Sequence, residues 1–435
     1  MANTVLIGAQ WGDEGKGKII DLLTEDHDWI IRYQGGHNAG HTVEIGDQRY
    51  VLHLLPSGIL HEGKKCIIGH GVVIDILSLL SEMDEVVGRG LTVEGRLFVS
   101  DRAHLIFPYH RLLDENREFT AATKDKIGTT KRGIGPAYAD KSSRTGLRAG
   151  DLLEADFPDR LRRRIQDYNR QLEILGADIA DEDELVRQYT EAARRLKPYI
   201  ADTISLLNKA ADSGESILFE GAQGTMLDID YGTYPFVTSS SATAGGACTG
   251  GGLAPRRVDR VLGVIKAYAT RVGEGPFPTE LDNSEGAALR NAGNEYGATT
   301  GRPRRCGWFD NVVARYSAMV NGVDAWALTK LDVLDEVDII KICVGYKYEG
   351  KTFDVVPARV RILEKCTPVY ESFEGWKTPT SGVTSYGDLP ERAKAYIERL
   401  EALTGVPVAM ISVGPGREHS LVREEVATAD HGRAS

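Results

Sequence analysis

Two short segments carry residues whose types and spacing suit phosphate and proton chemistry. The first is Gly8-Ala9-Gln10-Trp11-Gly12-Asp13-Glu14-Gly15-Lys16-Gly17-Lys18, directly behind an apolar run. Glycines let backbone N–H groups turn inward around phosphate oxygens, and a helix starting there adds partial positive charge. Gly12, Gly15 and Gly17 supply the turns, while Lys16 and Lys18 offer point charges to a triphosphate. Gly12 to Lys18 follows most of the Walker A spacing, but Ile19 stands where a Ser or Thr would hold magnesium. Asp13, inside the loop, is a carboxylate able to bind that metal or to take a proton instead. The second segment is Gly35-Gly36-His37-Asn38-Ala39-Gly40-His41-Thr42. Its glycines argue against a helix, so His37 and His41 fit an acid or a phosphate-oxygen donor better than a zinc pair.

A third segment, Thr329-Lys330-Leu331-Asp332, follows the apolar run Ala325 to Leu328. Guanine offers two donors on one edge, N1–H and the 2-amino group, and one carboxylate accepts both. The lysine stem can lie over the base. The segment resembles the Asn/Thr-Lys-x-Asp guanine signature of GTP-binding proteins.

These loops need strands and helices to hold them. Thr4 to Ile7, Trp29 to Ile31, Val51 to Leu54, Ile67-Ile68, Ile217 to Phe219, Val261 to Tyr268, Trp326 to Leu328 and Val408 to Ile411 read as strands. Ile19 to Leu23 and Ile76 to Val87 have helical spacing. Alternating strands and helices predict an α/β fold with a large, mostly parallel central sheet flanked by helices. The pattern predicts one domain over residues 1–425, a helical insertion over 151–212, a β-hairpin over 346–355 around Glu349-Gly350, and a frayed polar tail over 426–435.

The bulk composition restricts the function classes. The chain has 435 residues, 42% hydrophobic and 26% charged, with a net charge of -11. That acidic balance argues against general nucleic-acid or anionic-membrane binding but allows a local basic pocket. Five cysteines are widely spaced without a CxxC pair, which reads as free thiols in a cytoplasmic protein. No apolar run is long enough to span a bilayer, and the N-terminus lacks a signal-peptide plan.

Taken together, the chain resembles the adenylosuccinate synthetase family. The blocks that carry the resemblance are QWGDEGKGK (10–18), RYQGGHNAGHT (32–42), IGTTKRGIGPAYADK (127–141), FEGAQGTMLDIDYGTYPFVTSS (219–240), GATTGRPRRCGW (297–308) and TKLDVLD (329–335). They follow the family's order over nearly the full length. The resemblance implies a ligase that uses GTP and Mg²⁺ to join L-aspartate to IMP through a 6-phosphoryl intermediate. It places Asp13 as general base and metal ligand, His41 as general acid, and Gly40 as a carbonyl ligand of the metal. Lys16 would neutralise the γ-phosphate, and Gln223 joins this catalytic group. Asn38, Thr130, Gln223, Thr238 and Val272 match positions at the IMP site. Arg144 matches an arginine that reaches the IMP phosphate from the other subunit of a homodimer. Thr299, Thr300 and Arg302 lie in the loop that closes over aspartate. Gly12, Gly15, Gly17, Lys18, Gly40, Thr42, Arg304, Lys330, Leu331, Asp332, Ser412, Val413 and Gly414 match the GTP site. Lys131, Gly416 and the length of the tail depart from the expected pattern. Two rivals are a regulatory GTPase switch, which leaves GGHNAGH unexplained, and a nicotinamide enzyme, for which no Gly-x-Gly-x-x-Gly follows the first strand.

Overall fold

Short runs of aliphatic residues, buried on both faces, build the centre of the protein. The computed structural model describes residues 2–45, 48–120, 128–297 and 301–423. Its main sheet has ten strands in the order Ser420–Val422, Val408–Ser412, Ala325–Thr329, Arg260–Lys266, Thr4–Gly8, Ile217–Glu220, Trp29–Arg32, Lys65–Ile68, Leu97–Ser100 and Ile200–Ala201. All neighbouring pairs run parallel except the edge pair of Val408–Ser412 with Ser420–Val422. This is the large parallel sheet that the sequence predicts.

Alternate side chains of each strand feed different faces. Leu6, Ile30, Ile68, Leu218 and Val264 join one apolar cluster; Val5, Ile7, Ile31, Ile67, Phe219 and Ile265 join another. Burial on both faces is why these strands read as unbroken apolar runs rather than as alternating ones. The helices Phe157–Ile174 and Glu182–Leu196 add Leu161, Ile165, Leu185 and Tyr189 to the first cluster, alongside Leu79 and Met83 of the helix Ile76–Gly88. Asp75, Asp181 and Asp202 cap helices by accepting from Ser78, Glu184 and Ser205 N–H groups. The segment 151–212 is not wholly helical, since Ile200–Ala201 forms the edge strand before the helix Thr203–Asp212.

Two other expectations need correction, and a third holds within a longer element. The strand predicted over Val51 to Leu54 stops at Leu52 and pairs with His41–Ile45 in a separate hairpin. Its continuation fails because Glu82 takes the N–H groups of His53 and Leu54, at 2.8 and 2.9 Å. The strand Arg260–Lys266 ends before Tyr268, and Ala269–Arg271 joins Arg305–Gly307 in another sheet. Gln10 peels the chain away there: its amide donates to Tyr268 O at 3.1 Å and accepts from Lys266 N at 3.2 Å. The hairpin around Glu349-Gly350 is present, both residues being left-handed with φ 47° and 73°, as a tight two-residue turn requires. It is part of a longer strand, Ile339–Tyr348, in a four-stranded sheet with Phe309–Asp310, Lys351–Phe353 and Thr367–Glu374.

The five cysteines are free. Among the described residues no helix is long and apolar enough to cross a membrane. The predicted tail over 426–435 lies outside the described residues.

Candidate active site

The parallel sheet sends every loop that follows one of its parallel strands to the same edge, and the first of these loops is knit by a buried carboxylate. Glu14 is fully buried; its Oε1 accepts from Gln10 N and Gly12 N at 2.9 Å each, and its Oε2 accepts from Lys16 Nζ at 2.6 Å. Gly12, Asp13 and Gly15 adopt left-handed backbone with φ 84°, 58° and 87°. For Asp13 that conformation is uncommon, and here it turns the carboxylate outward to 40% exposure. Gly8 can only be glycine, because a Cβ there would stand 2.4 Å from Gln223 O and 2.5 Å from Glu14 Oε2. The helix Lys16–Thr24 starts without a side-chain cap, so its first N–H groups are available to an anion.

The two lysines of this loop differ from the point charges expected of them. Lys16 Nζ is buried between Glu14 and the Gln223 carbonyl. Lys18 Nζ donates to Ser412 Oγ, Gly414 O and His419 O at 2.8, 2.8 and 2.9 Å. Its three N–H bonds are thereby used, so Lys18 acts as a strut under the Ser412–Val413–Gly414 turn, and its charge stands beside the expected nucleotide site without a free N–H. Burial lowers its pKa to about 8.

The second loop turns at Gly35, φ 81°, and leads into the strand His41–Ile45. A Cβ on Gly17 would lie 2.5 Å from Thr42 O, so glycine brings the helix start against this loop. His41 is buried, and its Nδ1 meets Glu220 Oε1. Burial lowers the pKa of His41, although Glu220 pulls it upward. Burial alone would raise the pKa of Glu220; His41 and Arg32 outweigh that and hold it low. His53 supports the loop through Nδ1 on Ala39 O at 2.7 Å.

The third loop meets the first. Thr329 Oγ1 donates to Glu14 O, and Thr329 packs against Gly15. Lys330 is left-handed at φ 62°, and its Nζ donates to Gly293 O at 2.6 Å. Leu331 is fully buried. Burial also raises the pKa of Asp332. Beside this loop Glu295 forms a hub: its Oε1 accepts from Lys266 Nζ at 2.7 Å and Tyr268 OH, and its Oε2 from Arg304 at 2.6 Å. Arg304 Nε donates in turn to Asp13 Oδ2 at 2.7 Å. Burial would raise Glu295, but Lys266, Lys330 and Arg304 bring its pKa down to about 2.

Buried polar atoms without partners locate the cleft. They include His37 Nδ1, Asn38 Oδ1, both amide atoms of Gln223 and Asp332 Oδ1. Such atoms are rare in a folded interior and call for a ligand or water. Gln223 itself sits at φ 57°, with its amide 3.2 to 3.3 Å from where a Gly35 Cβ would be.

The structure thus brings together Gly12, Asp13, Gly15, Lys16, Gly17, Lys18, Asn38, Gly40, His41, Thr42, Gln223, Arg304, Lys330, Leu331, Asp332 and the 412–414 turn on one edge of the sheet. Thr238 is half-buried, with Oγ1 3.4 Å from Ser240 Oγ. Thr130, Arg144, Val272 and Arg302 are exposed, Arg144 as the left-handed C-cap of the helix Ile134–Ser143. Thr299 and Thr300 lie outside the described residues. Sequence reasoning assigned nothing to Glu14, Glu220, Glu295, Lys266 and Arg32. Glu14 and Glu220 lie inside matching blocks, and a charged residue closing an apolar strand, as Arg32 and Glu220 do, was the signal available.

The chain is similar to known proteins over nearly its whole length. A family profile described as adenylosuccinate synthetase matches residues 5–421. The adenylosuccinate synthetase of Thermodesulfovibrio yellowstonii is 52% identical over 98% of this chain and 99% of its own length. That of Moorella thermoacetica is 54% identical over 98% and 99%. The structure of fully ligated adenylosuccinate synthetase from Plasmodium falciparum superimposes with a TM-score of 0.93 at 41% identity, covering 97% of this chain and 100% of that one.

The Glu295 hub makes a direct prediction. Glu295→Gln leaves the buried Lys266 and the half-buried Arg304 facing a neutral amide, and breaking the buried Lys266 pair costs about 3 kcal/mol. The folded pKa of about 2 lies below the ordinary 4.5, so the charge contributes stability above pH 4.5 that fades as pH falls towards 2. Urea midpoints of wild type and variant should therefore differ most at neutral pH and converge on acidification. A gap that stays constant with pH would remove Glu295 as a stabilising charge.

Proposed function

The chain belongs to the adenylosuccinate synthetase family, and we propose that the cleft formed by its Asp13, His41, Gln223 and Asp332 loops is where it does that family's chemistry. The protein is a GTP-dependent ligase that forms adenylosuccinate from IMP and L-aspartate through 6-phosphoryl-IMP, releasing GDP and phosphate. One observation carries the assignment of roles. Asp13, Gln223 and His41 follow the strands Thr4–Gly8, Ile217–Glu220 and Trp29–Arg32, which are adjacent in the sheet. Ligands of parallel sheets bind beyond such carboxyl ends.

Hydroxyl-like oxygen leaves carbon poorly, and phosphate leaves well. Asp13, turned outward by its left-handed backbone, takes the N1 proton of IMP and makes O6 the nucleophile. O6 attacks the γ-phosphorus of GTP, and GDP departs. His41 donates to the charge that develops on the transferring group. Lys16 exchanges Glu14 for the γ-phosphate, one anion for another. The amine of aspartate, held by the loop of Thr299, Thr300 and Arg302, then attacks C6 and expels phosphate. Asn38, Thr130, Thr238, Val272 and the Gln223 amide hold IMP. Asp332 accepts the two donors of guanine, with Lys330, Leu331, Arg304 and the Ser412–Gly414 turn around the nucleotide and Gly12, Gly15, Gly17, Lys18 and Thr42 around its phosphates.

Magnesium fits this donor set. Asp13 offers a partly exposed carboxylate and the exposed residue Gly40 a backbone carbonyl, both hard oxygen ligands. Among the described residues no group of three or more His, Cys, Asp or Glu stands together as a metal cage. Such sparse protein ligation suits Mg²⁺, which keeps waters and takes substrate phosphates as ligands. When bound it would neutralise charge on the phosphates.

The exposed Arg144 reads as a residue supplied in trans to the IMP phosphate, in a homodimer. Residues 1–425 read as one catalytic unit, because the helices within 151–212 share an apolar cluster with the sheet. Free cysteines fit a reducing compartment, and we place the enzyme in the cytoplasm, with no nucleic acid or membrane as partner.

Three measurements test this reading. Purified protein with Mg²⁺ should form adenylosuccinate only when IMP, aspartate and GTP are all present; GDP release without IMP would favour a GTPase switch. Asp332→Asn turns a double acceptor into an amide that also donates, so kcat/KM should fall for GTP and rise for XTP. An unchanged ratio would take Asp332 out of the base site. Asp13→Ala and Arg144→Leu, each inactive alone, should regain about a quarter of wild-type activity when their subunits exchange at random. If mass-tagged subunits exchange and no activity returns, Arg144 does not act across an interface.

A further inference from the structure

The strand Ile217–Glu220 ends in a carboxylate to which the reaction above gives no task. Glu220 is 1% exposed, and its cross-strand partner in register is Arg32, which is fully buried. Ser57 N donates to Oε2 at 2.8 Å and Ser57 Oγ to Oε1 at 3.1 Å, while His41 Nδ1 closes on Oε1. The carboxylate is therefore held on both oxygens by groups from separate segments of the chain. Burying a charge this deeply is unfavourable unless it is paired, and Arg32 and His41 are the charged or chargeable groups that compensate it.

That bonding fixes the histidine. An ionised carboxylate only accepts, so the ring nitrogen facing it carries a hydrogen. With Nδ1–H committed to Glu220, Nε2 is the nitrogen left for a substrate. Turning the ring over would break the bond and leave Glu220 Oε1 with Ser57 Oγ as its remaining donor. The adjoining chain is held as well. Arg32 donates to His53 O, and the His53 ring holds Ala39 O at 2.7 Å, just before Gly40. Ring and loop are thus clamped from one end of the sheet.

We propose that Glu220 is the positioning residue of His41: through Nδ1 it fixes the orientation of the ring, so that Nε2 faces the transferring phosphoryl group. Glu220 does not touch substrate. The inference rests on the reading of His41 as the group that assists transfer.

The test compares Glu220→Gln, Glu220→Asp, His41→Asn and the double variant His41→Asn/Glu220→Gln with wild type. Loss of a partner that orients a functional histidine costs roughly 10–100-fold. Glu220→Gln should lower kcat by that factor, with KM for IMP and GTP nearly unchanged. The double variant should be no slower than His41→Asn alone, because both lesions strike one device. Protein labelled with ¹⁵N-histidine gives a readout besides activity. The long-range ¹⁵N–¹H pattern that disappears in His41→Asn should show hydrogen on Nδ1 in wild type, and that signature should be lost or mixed in Glu220→Gln. Normal kcat in Glu220→Gln, or a rise in KM with kcat intact, overturns the inference while a dead His41→Asn leaves the reading of His41 standing. Near-normal kcat in His41→Asn overturns both. If Glu220→Gln does not fold, Glu220→Asp decides: its charge stays but is drawn back by one methylene. A lowered kcat at unchanged KM supports the positioning role, and a normal kcat overturns it.

Discussion

The catalytic edge depends on the burial of Glu14. A carboxylate with no exposed surface must be fully bonded, and this one takes two backbone N–H groups and the Lys16 ammonium. Those bonds close the loop so tightly that Gly12, Asp13 and Gly15 fall into left-handed backbone and Gly8 has no room for a side chain. The Glu14 carbonyl also accepts from Thr329, tying the phosphate loop to the guanine loop. The arrangement has a chemical consequence. Lys16 is already desolvated and already opposite an anion, so a phosphate that replaces Glu14 does not have to strip water from the ammonium at the moment of binding. Preorganisation of this kind is what phosphoryl transfer asks of a protein, since the reaction needs placed charge more than covalent help.

The sheet arranges these charges in a line. Reading across its carboxyl edge, the loops after Val408–Ser412, Ala325–Thr329, Arg260–Lys266, Thr4–Gly8, Ile217–Glu220 and Trp29–Arg32 follow one another. They carry the Ser412 turn, the proposed guanine reader at Asp332, the Lys266 charge, the Gly12–Lys18 loop, Gln223 and the Asn38–His41 loop. Neighbouring strands lie about 4.8 Å apart, so the five steps span roughly 24 Å. The proposed placement of GTP, base at the Asp332 end and phosphates at the Asp13 loop, fits within that span. A second nucleotide can enter from the His41 end. The order of the chemistry along the cleft is the order of the strands, which differs from their order in sequence.

What the sequence made legible was local. Gly12 to Lys18, Gly35 to Thr42 and Thr329 to Asp332 each concentrate their chemistry in a few consecutive residues, and the strands before them are mostly apolar. Contacts distant in the chain were not legible. Lys18 reads as a free charge because spacing says nothing of Ser412, whose hydroxyl meets it across the sheet edge. Lys266 and Glu295 look unremarkable alone and become a buried pair only after folding. Val51 to Leu54 has the composition of a strand, but Glu82, on a helix almost thirty residues away, competes for its N–H groups. The long strand Ile339–Tyr348 mixes Lys and Gly into its apolar pattern, which hid its length. Resemblance supplied roles for Arg144 and Thr299 that no local pattern in those residues would have suggested.

Arg304 shows how the two halves of the cleft are coupled. One guanidinium bonds both Asp13 and Glu295, so the proposed general base and the hub beside the 329–332 loop share a cation. The two bonds are not equal. Glu295 is fully buried and faces two further donors, whereas Asp13 is 40% exposed. A partly exposed pair contributes about 1 kcal/mol or less, while breaking a buried one costs several times more. When a ligand asks for the Asp13 carboxylate, the bond to Asp13 is therefore the one that gives, and Arg304 stays on Glu295. The base can be released for catalysis without disturbing the hub, and the guanidinium remains beside the phosphate loop where negative charge accumulates. The same hierarchy places the rigid part of the network at Lys266 and Glu295 and the adaptable part at Asp13, the proposed proton acceptor.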